Sequence, residues 1–253
     1  MTDSVLIDDR EGIRVITLNR PERMNALDGP TLIALDEAIA TAGAARVIVI
    51  RGTGRAFCAG NDLKWLASGV LADRAAHMAH QDRMQACYTR IESCPQVVVA
   101  SVGGFALAGG FELMLACDIT LTADEAELGD EHLRRNLLPS GGSSQRLPRR
   151  IGPARALYHL LTAKRMTGRG AAAMGLAALS VPGDQLEAET MALAERLAQS
   201  DPLALASMKE MVRRGLELPL SEGLAMERWM QHRYRTQSAS LDASVTAFAG
   251  GKG

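Results

Sequence analysis

The chain has 253 residues, enough for one large domain with an appendage or for two domains. Its 28 basic and 29 acidic side chains give a formal net charge of −1, so no global field favours nucleic acid or an anionic membrane. The longest mainly apolar stretch, residues 97–111, is too short to span a bilayer, and the 4 cysteines form no C-x-x-C pair. The N-terminus lacks the basic and apolar pattern of a secretory leader, which predicts a cytoplasmic protein.

The first part of the chain alternates strand and helix patterns. Residues 5–8 and 14–18 flank a turn and predict a β-hairpin, and Gly29 with Pro30 predicts the start of a helix. Short apolar strands are predicted at 47–51, 97–102 and 119–122. The repeated order of strand, strand and helix predicts an α/β protein of stacked ββα units.

From Gly152 onward the pattern becomes helical. Apolar residues recur at helical spacing, with Pro or Gly at the borders, in residues 154–161, 185–199, 202–215 and 219–236. Helices that are apolar on more than one face need a partner surface. We therefore divide the chain into a ββα core, residues 1–195, and a C-terminal helical oligomerisation region, residues 196–253.

Two glycine-bearing segments each follow an apolar strand pattern. They are residues 56–63 (AFCAGNDL) and 106–113 (ALAGGFEL). Each could present a backbone N–H at the mouth of a sheet, and two convergent N–H donors can stabilise the oxyanion of an ester or thioester enolate. An isolated Gly-Gly pair could equally serve close packing of strand on helix, but two matched segments favour the oxyanion interpretation.

With two further segments, residues 17–27 (TLNRPERMNAL) and 139–147 (PSGGSSQRL), these motifs resemble the crotonase, or enoyl-CoA hydratase/isomerase, superfamily. Four ordered motifs are far more specific than any one of them. The resemblance implies a spiral of repeated ββα units with C-terminal helices that build a trimer, often doubled to a hexamer. It implies backbone donors at Asn61 and Gly109.

The resemblance also implies that residues beside the first donor bind substrate: Ala26, Ala59, Gly60, Asp62 and Leu63. Only backbone is required at Asn61, so its side chain is permissive. Asp62 itself is typical of a helix cap for the segment that starts at Leu63.

Glu112 is the only charged residue in the stretch 107–116 (LAGGFELMLA). A carboxylate in such surroundings must be paired, protonated or facing a cavity. It could simply occupy the first turn of a helix, where the dipole favours acids. The resemblance makes Glu112 similar to the catalytic glutamate that handles the water added across the C2–C3 double bond.

The second catalytic glutamate of the hydratases is not matched. Counting back 7 residues from Pro139 places His132 at its position, with Glu131 one residue earlier. Imidazole is a competent general acid or base near neutral pH, so His132 could replace the carboxyl. The alternatives are a one-residue shift that brings Glu131 inward, or a His132 that only lines the pocket.

Other candidates carry less weight. His77 and His80 are 3 residues apart but lack a third partner at ligand spacing, so we expect a solvated helix face and no metal site. The basic residues Arg146, Arg149, Arg150 and Arg155 could contact the phosphates of coenzyme A, although a solvated surface is the expectation for most of them.

Together these features predict a lyase that adds water to a 2-enoyl-CoA. The catalytic groups would be Glu112 and His132, without metal or redox cofactor; coenzyme A would be part of the acyl-CoA substrate. The first alternative is an enoyl-CoA isomerase with a single acid/base. The second is a non-catalytic homologue that binds acyl-CoA or RNA, which the near-zero net charge and the retained Glu112 argue against.

Overall fold

A computed structural model describes residues 3–238 together with residues 245, 246 and 249. The strands are β1 Val5–Arg10, β2 Ile13–Leu18, β3 Val47–Gly52, β4 Ala56–Cys58, β5 Val97–Val102, β6 Phe105–Leu107, β7 Ile119–Ala123, β8 Glu127–Gly129, β9 Met166–Thr167 and β10 Leu179–Val181. The predicted hairpin is confirmed, because β1 and β2 pair antiparallel across the turn at Gly12.

The longer strands form one six-stranded sheet in the order β1-β2-β3-β5-β7-β10. Beyond the hairpin every pair in it is parallel. All six residues of β2 and of β5 are buried. Parallel strands need both faces covered, which explains why these segments are nearly continuous apolar runs.

A second, four-stranded sheet has the order β4-β6-β8-β9. Its strands β4, β6 and β8 are parallel neighbours, and β9 pairs antiparallel with β8. Each of these three follows a strand of the first sheet after a short connection, and each is followed by helix. The chain therefore climbs through repeated ββα units, and the predicted α/β spiral is confirmed.

The α-helices are α1 Gly29–Ala40, α2 Leu63–Trp65, α3 Arg74–Ser93, α4 Gly109–Ala116, α5 Ser143–Ile151, α6 Pro153–Thr162, α7 Gly168–Ala173, α8 Leu186–Ala198, α9 Pro202–Gly215 and α10 Leu220–Gln237. A π-helical turn, Leu66–Val70, and 3-10 helices at Pro21–Arg23 and His132–Arg135 complete the set. Side-chain oxygens accept N–H bonds at the starts of α1, α2, α3, α7 and α9. Gly69, at φ 129°, breaks the helical segment between α2 and α3.

Helix α9, in the C-terminal region, is held against the core by ion pairs between buried and half-buried side chains. Lys209 Nζ lies 2.8 Å from Asp118 Oδ2, and Arg213 reaches Asp118 at 2.7 Å and Glu92 at 3.0 Å. The two-part division of the chain stays a prediction; residue 195 itself lies within α8.

Part of the C-terminal helical surface is apolar and exposed. Met208, Val212 and Leu216 are spaced four apart along α9 and at its end, with exposed fractions of 59%, 57% and 80%. Within the part of the chain that the structure describes, no helix has the length and apolar character needed to cross a membrane.

Candidate active site

Three neighbouring parallel strands end at the same edge of the four-stranded sheet. Asn61 follows β4, Gly109 follows β6, and Asp130 and His132 follow β8. Because carboxyl ends of parallel strands meet at one edge, residues 71 positions apart in sequence, from 61 to 132, come together. The sequence motifs and the unmatched histidine therefore share one site.

The two predicted donor positions lie side by side. A Cβ placed on Gly109 would lie 3.5 Å from the nitrogen of Asn61, and one placed on Gly60 would lie 2.6 Å from the nitrogen of Gly109. Gly60 has a φ of 86°, so glycine is needed there both for conformation and for the close approach. Neither donor N–H has a protein acceptor in the described part of the chain. The pair is free to bind an oxygen atom.

The backbone around these donors is held by specific contacts. Ala108 adopts φ 49° and ψ −120° immediately before Gly109, a conformation rare for alanine. Tyr88 donates its hydroxyl hydrogen to the Gly109 carbonyl at 2.8 Å. Asp62 accepts N–H bonds from residues 64 and 65 and pairs with Arg20 at 2.9 Å, which confirms its role as a helix cap.

The other predicted substrate-binding residues lie around the same turn. Ala26 is buried, Ala59 is half-buried and Leu63 is exposed. Leu27 donates its N–H to the carbonyl of Gly60 at 2.7 Å, which joins the segment after Ala26 to the first donor segment. Their predicted contact with substrate stays a prediction.

His80 differs from the expectation of a solvated helix face. It is only 2% exposed, its Nε2 lies 2.9 Å from Asn61 Oδ1, and its ring centroid lies 4.7 Å from that of Trp65. Burial lowers the pKa of His80. The sequence could not show this, because the contact joins a loop to a helix 19 residues away.

Glu112 lies in the first turn of α4 with no exposed surface. Its Oε1 accepts the backbone N–H of Ser143 at 3.0 Å, whereas its Oε2 is buried without a hydrogen-bond partner. Burial raises the pKa of Glu112, and the bond from Ser143 and the charge of His132 offset only part of that effect. A side chain of this kind is a candidate general base.

His132 begins the 3-10 helix after β8, 8% exposed. Its Nε2 lies 4.0 Å from Glu112 Oε2, and its Nδ1 lies 2.9 Å from Asp130 Oδ1. Burial alone would lower the pKa of His132, but the hydrogen bond to Asp130 and the charges of Asp130 and Glu112 raise it. The ring therefore lies between two carboxyl groups, hydrogen-bonded to Asp130 and 4.0 Å from Glu112.

Glu131 points to a different part of the molecule. Its Oε1 lies 2.6 Å from Arg165 Nε and 3.4 Å from Arg134. The alternative in which Glu131 turns inward does not describe this structure. His132, and not Glu131, is the residue that lies beside Glu112, while its match to the family's second glutamate stays a prediction.

Two residues of the site escaped the sequence analysis. Asp130 is 2% exposed and Ser143 is fully buried, and the Ser143 hydroxyl donates to Asp130 Oδ2. Asp130 lies two positions before His132, and Ser143 lies in the 139–147 motif. Both residues therefore belong to segments that carry a sequence motif or a candidate catalytic residue. The hydrogen bond between them joins residues 13 positions apart, so only the folded structure reveals it.

The basic cluster does not form one patch. Arg146 pairs with Glu92 and Arg150 donates to the carbonyls of Leu115 and Cys117, so both serve the interior structure. Arg149 and Arg155 are exposed, as expected of solvated side chains.

A sequence model of the enoyl-CoA hydratase/isomerase family matches residues 8–252. A protein of Rhodobacter capsulatus named as a probable enoyl-CoA hydratase is 38% identical over 240 residues, covering 94% of this chain and 91% of that protein. The 2,3-dehydroadipyl-CoA hydratase of Escherichia coli is 31% identical over 256 residues, covering 97% and 98%. The crystal structure of an enoyl-CoA hydratase from Bacillus anthracis superposes with a TM-score of 0.93 at 30% identity, covering 99% and 97%. The chain belongs to the enoyl-CoA hydratase/isomerase family.

Proposed function

We propose that this protein is a lyase that adds water across the C2–C3 double bond of a 2-enoyl-CoA. The N–H groups of Asn61 and Gly109 bind the thioester oxygen and stabilise the negative charge that develops on it. Glu112 accepts a proton from water as the water oxygen bonds to C3. His132 donates a proton to C2 of the enolate, and transfer of the proton from Glu112 to His132 restores both groups.

The observation that carries this proposal is the gap between Glu112 Oε2 and His132 Nε2. The two atoms are 4.0 Å apart, and Oε2 has no hydrogen-bond partner within the described chain. A water oxygen placed about 2.8 Å from each atom would form hydrogen bonds to both. Glu112 can then take a proton from this water, while His132 is placed to donate a proton as the acid.

Isomerisation of the double bond is the second candidate, because the matched family includes isomerases. The same pair could remove a proton from one carbon of an enoyl chain and return it to another, without adding water. The retention of the buried Glu112 argues against a non-catalytic acyl-CoA-binding homologue.

Incubation with 2-enoyl-CoA and 3-enoyl-CoA thioesters in heavy-oxygen water, followed by mass spectrometry, separates these activities. A hydratase incorporates the heavy oxygen into a 3-hydroxyacyl-CoA made from the 2-enoyl substrate. An isomerase interconverts the two substrates without incorporating oxygen. If neither reaction exceeds the rate of the Glu112→Gln variant, the proposal of an enzyme at this site is wrong.

The remaining features follow from this chemistry. The mechanism uses only protein groups and water, so we propose that it needs no metal or redox cofactor and that coenzyme A enters as part of the substrate. We also propose a homotrimer or a hexamer made of two trimers, supported by the exposed apolar stripe of Met208, Val212 and Leu216. A cytoplasmic location stays a prediction from the sequence.

A further inference from the structure

Asp130 is a buried carboxylate with both oxygens engaged. Its Oδ1 accepts the backbone N–H of His132 at 3.1 Å and lies 2.9 Å from the ring nitrogen Nδ1 of the same residue. Its Oδ2 accepts the hydroxyl hydrogen of Ser143. A carboxylate that is 2% exposed would be costly without such partners, so these bonds account for its presence.

These bonds determine which ring nitrogen of His132 carries a hydrogen. Burial would raise the pKa of Asp130, but the hydrogen bond and charge of His132 lower it, so Asp130 is an ionised acceptor. An ionised carboxylate can only accept, hence Nδ1 of His132 must be the N–H donor. Nε2 is then the atom whose proton can come and go, and it faces Glu112.

The charged groups around His132 can be traced element by element. Asp130, after β8, and Glu112, on α4, act on the imidazole directly. Tyr88 on α3 and Arg146 on α5 interact with Glu112. Asp130 is the group that makes the cationic ring favourable in a buried site, since its contribution exceeds that of Glu112.

Ser143 connects this pair to Glu112. Its backbone N–H donates to Glu112 Oε1 and its hydroxyl donates to Asp130 Oδ2, so one residue at the start of α5 fixes both carboxyl groups. The relative position of the two proton-transfer groups therefore depends on a closed set of contacts: Glu112, Ser143, Asp130 and His132.

We propose that Asp130 is a positioning residue that holds His132 in the Nδ1–H tautomer with Nε2 facing Glu112, and that the Ser143 hydroxyl holds Asp130 in place. Asp130 acts through His132 and does not touch the reacting atoms. The catalytic consequence rests on the proposed function, because it requires His132 to transfer a proton. The effect of Asp130 on the pKa and the tautomer of the His132 imidazole does not rest on the proposed function.

The test compares Asp130→Asn with Glu131→Gln. The two positions are adjacent, both carboxyl groups are buried, and Glu131 pairs with Arg165 rather than with the site. For each variant, the titration of His132 is followed by NMR, with its resonance identified by its loss in His132→Ala, and kcat and KM are measured against pH.

In Asp130→Asn we expect the pKa of His132 to fall by about 1 unit or more, because the nearest opposite charge is removed. We expect kcat to fall by about 10- to 100-fold, less than the roughly 10²- to 10⁴-fold contribution of a positioned acid itself, because His132 remains in place, with little change in KM. Because His132 must be protonated to act as the acid, the alkaline decline in rate should move to lower pH. Glu131→Gln should leave both the titration and kcat close to wild type.

An unchanged His132 titration in folded Asp130→Asn would overturn the proposal. Ser143→Ala provides a second test, since it removes the hydroxyl but keeps the N–H that donates to Glu112. We expect a smaller loss of kcat and a smaller shift of the same titration, and wild-type values for both would remove Ser143 from the set. A shifted titration in Asp130→Asn combined with full activity in His132→Ala would instead uphold the tautomer assignment and contradict the proposed acid.

Discussion

Nε2 of His132 lies 4.0 Å from Oε2 of Glu112, and neither residue exposes more than a tenth of its surface. The two groups differ in the charge of their acidic form, since a protonated imidazole is a cation and a protonated carboxyl is neutral. A cationic acid beside a developing enolate lowers the cost of negative charge on the substrate. The pair is therefore chemically distinct from two carboxyl groups in the same places.

Glu112→Gln should separate activity from stability. We expect kcat to fall by about 10²- to 10⁴-fold, because the amide cannot accept a proton from water. In the folded protein the pKa of Glu112 is raised, so its contribution to stability is complete below the unfolded pKa and is lost as pH rises through the folded pKa.

The stability of this variant is checked by chemical denaturation at several pH values. Relative to wild type, the free energy of unfolding of Glu112→Gln should increase as pH rises, since glutamine does not ionise. A folded variant that keeps more than half of the wild-type rate would remove Glu112 from the mechanism.

His132 can be tested by two exchanges. His132→Ala should lower kcat by about 10²- to 10⁴-fold, whereas undiminished hydration would make His132 a pocket-lining residue. His132→Glu alone would place a second carboxyl beside Asp130. Repulsion between the two negative charges would raise the pKa of the carboxyl introduced at position 132.

The double variant His132→Glu, Asp130→Asn removes that repulsion. It should therefore hydrate a short 2-enoyl-CoA faster than His132→Glu alone. Equal rates for the two variants would show that Asp130 does not influence the group at position 132.

The pH dependence of kcat/KM should be bell-shaped. Glu112 must be ionised to accept a proton, so the rate rises with pH through its raised pKa. His132 must be protonated to donate, so the rate falls as pH passes its raised pKa. The two limbs belong to the coupled pair, and Glu112→Gln should abolish the acidic limb in whatever activity remains. A rate that is independent of pH between about 5 and 9 would contradict this assignment.

Gly109→Ala tests the oxyanion donors, with Gly103→Ala as its control. A Cβ on Gly109 would lie 3.2 Å from the Cα of Gly60, which is tight enough to push the two donor segments apart. A Cβ on Gly103 would meet Leu186 at 3.6 Å, an ordinary contact. We expect kcat to fall by up to about 100-fold in the first variant, the lower end of the contribution of one oxyanion donor, and to stay near wild type in the second. Similar rates in the two folded variants would contradict the donor assignment.

Assembly is checked by sedimentation equilibrium. We expect a trimer or hexamer at micromolar concentration, because the α9 stripe of Met208, Val212 and Leu216 is apolar and exposed. Val212→Glu should dissociate it, whereas Ile7→Glu, at a residue 49% exposed on β1, should not. A monomeric wild-type protein would refute the oligomeric proposal.

Sequence reasoning performed well where the signal is local. The hairpin, the strand before each donor segment and the helix from Gly29 follow from apolar periodicity and from turn and cap residues, and each is present. The position of His132 near Glu112 also agrees with the count of 7 residues back from Pro139.

Contacts between segments that are distant in sequence could not be predicted from the sequence. The burial of His80 depends on a partner in the loop after β4, and the role of Ser143 depends on how α5 is placed against α4. The lack of a third metal ligand at suitable spacing favoured a solvated face for His80, but it carries no information on how α3 packs. Only the packing of the helix decides which of its polar side chains are enclosed.

The short strands β4, β6 and β8 each deliver one part of the site at a common edge. The segments after β4 and β6 present the backbone N–H groups of Asn61 and Gly109, whereas the segment after β8 presents the side chain of His132. We therefore expect exchange of the residue at position 132 to alter proton transfer more than it alters binding of the thioester oxygen.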